Sequence, residues 1–228
     1  QGYRGDGVFD NFWKLVERWR GTFMVMVPTA ATALMQRPVD ADVSTLKYAI
    51  CGSAPLPSEL FNRFESATGL KIIEGYGMTE AVCLISVNPP DGERKIGSVG
   101  IPFPYTDLKV LQVNDANKVV KKCKANEVGE ICLLNPGVQK TAVYTQEDKN
   151  KNLYVDKKYM RTGDLGHLDN DGYLWISGRA KDIIIRGGHN IDPVIIEDGL
   201  AGHPEVAMVG AIGQPDIRLG EVPAAYVE

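Results

Sequence analysis

Between residues 9 and 77, short apolar runs alternate with amphipathic stretches of helical length, and this alternation constrains the fold more than any other feature. Phe9, Phe12, Trp13, Val16 and Trp19 share a helical stripe that Gly21 ends. Met24 to Val27 reads as a short buried strand, and Thr29 as the cap of the alanine-rich helix that follows. Tyr48 to Cys51 is a second strand, running into the loop Gly52-Ser53-Ala54-Pro55. Pro57 and Ser58 open a helix carrying Leu60, Phe61 and Phe64, which Gly69 closes. A third strand, Leu70 to Ile73, leads directly into the turn Glu74-Gly75-Tyr76-Gly77. Repeated strand–helix units of this length imply a parallel sheet covered by helices.

After about residue 96 the pattern changes to strands with little helix: Leu108 to Val113, Val128 to Leu134, Leu165 to Leu168 and Tyr173 to Ile176. Asp169-Asn170-Asp171-Gly172 joins the last two as a hairpin turn. The lysines at 118–124 sit beside an expected turn, Asp115 to Asn117, and read as a solvated loop. Ser177 to Lys181 forms a natural boundary. Beyond it come Ile183 to Arg186 as a strand, a short helix near 194–200, and Val206 to Ile212 as a strand. The expected class is α/β: a helix-covered, mostly parallel sheet, then a β-rich subdomain, then the start of a small α+β unit.

A formal net charge of −4 and a pI near 5.5 argue against a nucleic-acid footprint, which needs a basic face. No apolar run approaches the roughly 18 residues that span a bilayer. No basic-then-apolar leader suggests secretion, so a cytoplasmic setting is expected. Cys51, Cys83, Cys123 and Cys132 form no C-x-x-C pair and read as reduced thiols. His167, His189 and His203 lack metal-ligand spacing. The chain opens on Gln1 and closes on an apolar run, Ala-Ala-Tyr-Val-Glu, and reads as cut at both ends.

Four polar clusters are expected in turns just after apolar strands, where an open α/β sheet presents ligand sites. In Glu74-Gly75-Tyr76-Gly77-Met78-Thr79-Glu80-Ala81 the glycines allow close backbone approach, Tyr76 offers a flat face to a base, Thr79 can donate to a phosphate, and Glu80 can hold a divalent cation. The same run also describes an ordinary helix start with a capping Thr and a first-turn Glu. In Tyr159-Met160-Arg161-Thr162-Gly163-Asp164 the aspartate can accept both hydroxyls of a ribose, although Thr-Gly-Asp is equally a turn. Gly178-Arg179-Ala180-Lys181-Asp182 offers a guanidinium fork beside charges that can equally be solvated. Arg186-Gly187-Gly188-His189-Asn190-Ile191 can admit an extended ligand or simply make a hairpin.

Taken in order and at these separations, the four clusters and the upstream Cys-Gly-Ser-Ala-Pro-Leu resemble the adenylate-forming superfamily: acyl-CoA synthetases, peptide-synthetase adenylation domains and firefly-type luciferases. The resemblance runs over nearly the whole chain. It implies that residues 1–178 are the later part of a large adenylation domain, with an α/β lobe at 1–95 and a β-rich subdomain at 96–178. Residues 179–181 would be a hinge, and 182–228 a truncated small domain. Gly52, Ser53, Ala54 and Pro55 with Glu74, Gly75, Tyr76 and Gly77 would form the adenine pocket, Tyr76 against the base. Thr79 would contact the α-phosphate and Glu80 would bind magnesium. Asp164 would take the ribose hydroxyls with support from Arg179, and Ile176 would join the nucleotide-binding set. Lys181 would be the hinge, Gly187 and Gly188 would line the path of the coenzyme A arm, and Gly77 and Met78 would face the acyl group. Thr79, Glu80, Arg179 and Lys181 are thereby the catalytic candidates.

The implied substrates are ATP, which leaves as AMP, a carboxylic acid expected to be a fatty acid, and coenzyme A, with Mg2+ as cofactor. The run Gly187-Gly188-His189-Asn190-Ile191 with Pro193 and Glu197 resembles acyl-CoA synthetases more than peptide-synthetase domains. The family's phosphate loop and terminal catalytic lysine do not occur in these residues, so residues 1–228 alone are expected to be inactive. An adenylation domain that loads a carrier protein and a non-catalytic nucleotide-binding module are the alternatives.

Overall fold

The computed structural model describes residues 5–114, 116–138, 143–203, 205–206 and 208–228. The chain divides into two compact units, Gln1–Phe103 and Pro104–Glu228.

In the first unit, α1 (Val8–Trp19) is followed by β1 (Phe23–Met26), α2 (Pro28–Met35), β2 (Tyr48–Cys51), α3 (Ser58–Thr68), β3 (Lys71–Met78), a 3-10 turn (Thr79–Ala81), β4 (Cys83–Val87) and β5 (Ile101–Pro102). Strands β1, β2 and β3 run parallel in sequence order, and β4 and β5 add antiparallel. The alternation of strand and helix therefore produces the expected helix-covered parallel sheet. Its core joins Trp13 of α1, Leu34 of α2 and Phe64 of α3 to Ala49 and Ile72 on the sheet.

Three local readings are corrected. Trp19 does not share the buried stripe: it is 73% exposed, with the Arg18 guanidinium over its ring. Seven residues beyond Phe12, it lies only about 20° around the helix from that residue, but it is the last residue of the helix, next to the cap. The helix is capped by Arg20, left-handed at φ 51°, ahead of Gly21. Thr29 is not the cap of α2; Val27 holds that position without a side-chain bond, and Pro28 begins the helix with its φ already set. Gly69 does close α3, at φ 71°.

The second unit contains two antiparallel sheets. The first comprises β6 (Asp107–Val113), β7 (Val119–Lys122), β8 (Gly129–Leu134), β9 (Tyr154–Val155), β10 (Tyr159–Leu168) and β11 (Leu174–Arg179), in the order β11-β10-β8-β6-β7 with β9 on β10. A short helix, α4 (Glu147–Asn150), precedes β9. The second sheet orders β12 (Ile184–Arg186), β13 (His189–Ile191), β14 (Val209–Asp216) and β15 (Gly220–Val227) as β13-β12-β15-β14, with α5 (Pro193–Ala201) between β13 and β14. Part of the lysine group forms β7 rather than a loop, because residues 119–122 pair with β6. Asp115 of the expected turn and Ala207 of the expected last strand lie outside the described residues. The hairpin at 169–172 forms: Asp169 Oδ1 accepts from the backbone N–H groups of Asp171 and Tyr173, both at 2.9 Å. Among the described residues no helix is long and apolar enough to cross a membrane.

Candidate functional site

The glycine-rich cluster is not a turn. Strand β3 continues through Glu74-Gly75-Tyr76-Gly77-Met78, because β4 returns antiparallel and pairs with it from Gly75 to Met78. The register slips between Tyr76 and Gly77, the mark of a bulge. A Cβ at Gly77 would run into the Cys83 carbonyl, and one at Gly52 would stand 2.8 Å from the Gly75 carbonyl oxygen. Bare backbone therefore meets bare backbone at the C-terminal ends of β2 and β3. Ser53, just beyond Gly52, takes φ 74°.

Thr79, Glu80 and Ala81 then form a single 3-10 turn, preceded by Met78 without a side-chain cap. The ordinary helix start with a capping threonine does not occur. Val82 and Cys83 follow at φ 59° and 82°. A β-branched residue in that region is uncommon and strained.

A cavity of about 960 Å³ opens at this corner. Gly52, Ser53, Gly75, Gly77, Met78 and Thr79 are among the residues that line it. Cys51, Val27, Val82 and Cys83 line it too, and the sequence reading missed them. The signal available was their position at the ends of β1 and β2 and just after the 3-10 turn.

Glu74 is turned elsewhere. It is 7% exposed, and its Oε2 accepts from the Gly97 N–H at 3.1 Å. Its backbone carbonyl accepts from the Asn88 N–H at 2.9 Å. Asn88 in turn donates from Nδ2 to the Ser98 carbonyl at 2.5 Å and accepts from the Lys95 N–H at 3.1 Å. This buried network ties residues 88–98 to β3. Burial raises the Glu74 carboxyl to about 7, with the Gly97 hydrogen bond opposing. Burial also pushes the Cys51 thiol up to about 12, and its register partner Glu74 adds to the effect. A thiol so placed stays protonated.

In the second unit, Thr162-Gly163-Asp164 is a looped-out part of β10 rather than a turn after a strand. Arg161 pairs with Cys132 and Leu165 with Glu130, so three residues of β10 oppose Ile131 alone. Gly163 takes φ 76°, and Thr162 Oγ1 donates to the Ile131 carbonyl at 2.8 Å while accepting from the Asp164 N–H at 3.0 Å. Asp164 is thereby held 8% exposed beside Arg179 of β11. Ile176, on the same strand, pairs with Gly166. Gly178 takes φ 119°, and a Cβ there would stand 2.9 Å from Asp192 Oδ1, so that side chain would have to shift. Asp192 also caps α5 through the Val194 N–H, and burial raises its carboxyl.

Lys181 lies exposed in the turn after β11, where the Asp182 N–H reaches the Arg179 carbonyl at 3.0 Å. Gly187 and Gly188 make the β12–β13 hairpin at φ 56° and 84°, and the Gly187 N–H donates to Leu219 at 2.8 Å. The candidates thus divide between the units: residues 52–55 and 74–80 in the first, and 164, 176, 179, 181, 187 and 188 in the second. Among the described residues no group of three or more His, Cys, Asp and Glu side chains is placed to hold a metal. Glu80 offers a single carboxylate, which suits magnesium only as a shared ligand, since that ion keeps several waters and substrate phosphates.

The sequence pattern of the AMP-binding enzymes matches residues 3–141. The chain belongs to the AMP-binding enzyme family. Within this family it is 43% identical to a marinolic acid–CoA ligase from Pseudoalteromonas sp. (strain SANK 73390), over 100% of this chain and 35% of that protein. It is 33% identical to a long-chain-fatty-acid–CoA ligase of Bacillus subtilis (strain 168), over 94% of this chain and 38% of the ligase. Among solved structures, ATP-bound MatB from Rhodopseudomonas palustris superposes with a TM-score of 0.86 at 33% identity, covering 96% of this chain and 42% of MatB. The chain thus spans between 35% and 42% of the length of these relatives.

Proposed function

We propose that the protein to which this chain belongs is an AMP-forming acyl-CoA synthetase acting on a fatty acid. A carboxylate oxygen attacks the α-phosphorus of ATP and pyrophosphate leaves; the coenzyme A thiol then attacks the acyl carbonyl, and AMP leaves. The observation that carries this reading is the glycine corner, where backbone at Gly52, Gly75 and Gly77 borders a cavity next to the Thr79–Ala81 turn. The two relatives named above, both acid–CoA ligases, support it.

In this reading Ser53, Ala54, Pro55 and Tyr76 border the adenine, Thr79 donates to the α-phosphate, and Asp164 accepts from the ribose with Arg179 and Ile176 beside it. Glu80 would hold a magnesium ion, which would supply positive charge to offset that of the phosphates. Residues 179–181 are the hinge between the large domain, ending at 178, and the small one beginning at 182, with Gly187 and Gly188 on the path of coenzyme A. Four free cysteines fit a cytoplasmic enzyme.

The test is acid-dependent ATP–pyrophosphate exchange by the complete protein, followed by thioester formation with coenzyme A. Glu80→Gln should lower exchange by at least about 100-fold, roughly 3 kcal/mol of transition-state stabilisation, without unfolding the protein. Normal exchange by that variant at ordinary magnesium would remove Glu80 from the metal. Residues 1–228 alone should show no exchange. Transfer to a carrier protein in place of coenzyme A would change the acceptor but not the first step.

A further inference from the structure

The looped-out segment that carries Asp164 is closed at its base by a pair of charges. Arg161 is the last residue of β10 to pair with β8 before the loop, and Glu130 is the partner of Leu165, the first residue to pair after it. Cys132 opposes Arg161, so Glu130, two residues back along β8, shares its face of the sheet. The Arg161 guanidinium spans the gap: Nε donates to Glu130 Oε1 at 2.9 Å and Nη2 to Glu130 Oε2 at 2.7 Å. Its Nη1 donates to Asn117 Oδ1 at 2.7 Å, and Asn117 Nδ2 donates in turn to the Tyr154 carbonyl at 2.6 Å. The fork is thus fixed from β8 and from the turn between β6 and β7 at once.

Three residues that oppose one leave the register across a loop free to shift, and a slip of one residue turns every side chain beyond it to the other face. The bond from Thr162 Oγ1 to Ile131 fixes the middle of this loop, whereas the charged pair ties its two ends. The Glu130 side chain is 8% exposed and that of Arg161 27%, so the pair is shielded more than a surface ion pair, and its parallel bonds set direction as well as distance. We propose that Arg161 and Glu130 are positioning residues for the nucleotide, holding the Asp164 carboxylate at the place and angle from which it accepts the ribose hydroxyls. The proposal rests on the reading that Asp164 takes the ribose and adds the pair that fixes it there. Lysine at position 161 would keep the charge but offer no fork.

The experiment is a double-mutant cycle on the complete enzyme, combining Arg161→Lys with Asp164→Ala. It is read by calorimetric titration of ATP and 2′-deoxy-ATP after thermal unfolding has shown each variant folded. Arg161→Lys should weaken ATP at least about tenfold and bring its affinity close to that of 2′-deoxy-ATP. In the Asp164→Ala background the same change should have less than about a twofold further effect. Glu130→Gln, which alters the other half of the pair, should reproduce both results. A brace for the sheet alone would lower the unfolding midpoint yet leave the ratio of the two nucleotides as in the native protein. That outcome, additive losses in the cycle, or failure of both Arg161→Lys and Glu130→Gln to fold would overturn the proposal. Native-like ATP binding by Asp164→Ala would remove the ribose contact and the positioning role with it. Absence of ATP binding by the native enzyme would overturn the synthetase reading itself.

Discussion

Asp164 and Arg179 are register partners across β10 and β11, with Arg179 Nε 3.2 Å from Asp164 Oδ1. The pair is unequal: the aspartate is buried, whereas the arginine side chain is 61% exposed. An ion pair with one half in water contributes little to stability, on the order of 1 kcal/mol or less. What the pairing does is orient a carboxylate that the looped-out Thr162–Asp164 segment presents.

Asp164→Ala should therefore leave the midpoint of thermal unfolding nearly unchanged while weakening ATP and AMP alike in the complete enzyme. The expected loss is about 2–3 kcal/mol, the scale of hydrogen bonds to a charged acceptor. In calorimetric titration, 2′-deoxy-ATP should bind more weakly than ATP to the native protein and nearly equally to the variant. Equal discrimination by both proteins would move the ribose contact elsewhere.

Glu74 predicts a pH dependence. Its carboxyl is raised from 4.5 to about 7 by burial, so the folded state holds its proton more tightly than the unfolded state does. Stability from this group is therefore fully present below pH 4.5 and is lost as pH rises to about 7, amounting to about 3 kcal/mol. Glu74→Gln should remove that slope, leaving urea midpoints flatter between pH 5 and pH 7.5, roughly the window in which the native group titrates. A slope unchanged by the substitution would assign the pH dependence to other groups.

Two glycines should respond differently to one added methyl. Gly77→Ala puts a Cβ into the Cys83 carbonyl, which is backbone and cannot rotate away, so β3 and β4 must separate. The expected cost is about 3 kcal/mol. Gly188→Ala meets no atom within 4 Å and has only its positive φ to contend with, about 1–2 kcal/mol. Urea unfolding of the complete protein ranks them, and the reverse order would show that the β3–β4 bulge relaxes easily.

Lys181 lies in the turn after β11, outside both sheets of its unit. In the proposed hinge role it would have to change its backbone dihedrals, which proline forbids. Lys181→Pro should still form acyl-adenylate but transfer it to coenzyme A at least about tenfold more slowly. Single-turnover measurements that follow the two products separately give the answer. Parallel loss of both steps would mean that the residue supports folding or adenylation instead.

Much of this architecture is determined by short stretches of sequence alone. The stripe Phe9, Phe12, Trp13 and Val16 sets α1, Gly69 stops α3, and Asp169 with Gly172 closes the β10–β11 hairpin, because each acts through neighbours a few residues away. Family membership was legible for the same reason, since motif order and spacing are properties of the chain. Other features depended on partners distant in sequence. Gly75 and Gly77 look locally like a turn, yet β4 supplies the hydrogen bonds that keep them in β3. Glu74 looks like a ligand-facing carboxylate, yet residues 88–98 close over it and turn it to Gly97. Only the tertiary structure decided which side of β3 each residue serves, because strand pairing and burial are set by contacts that local propensity does not encode.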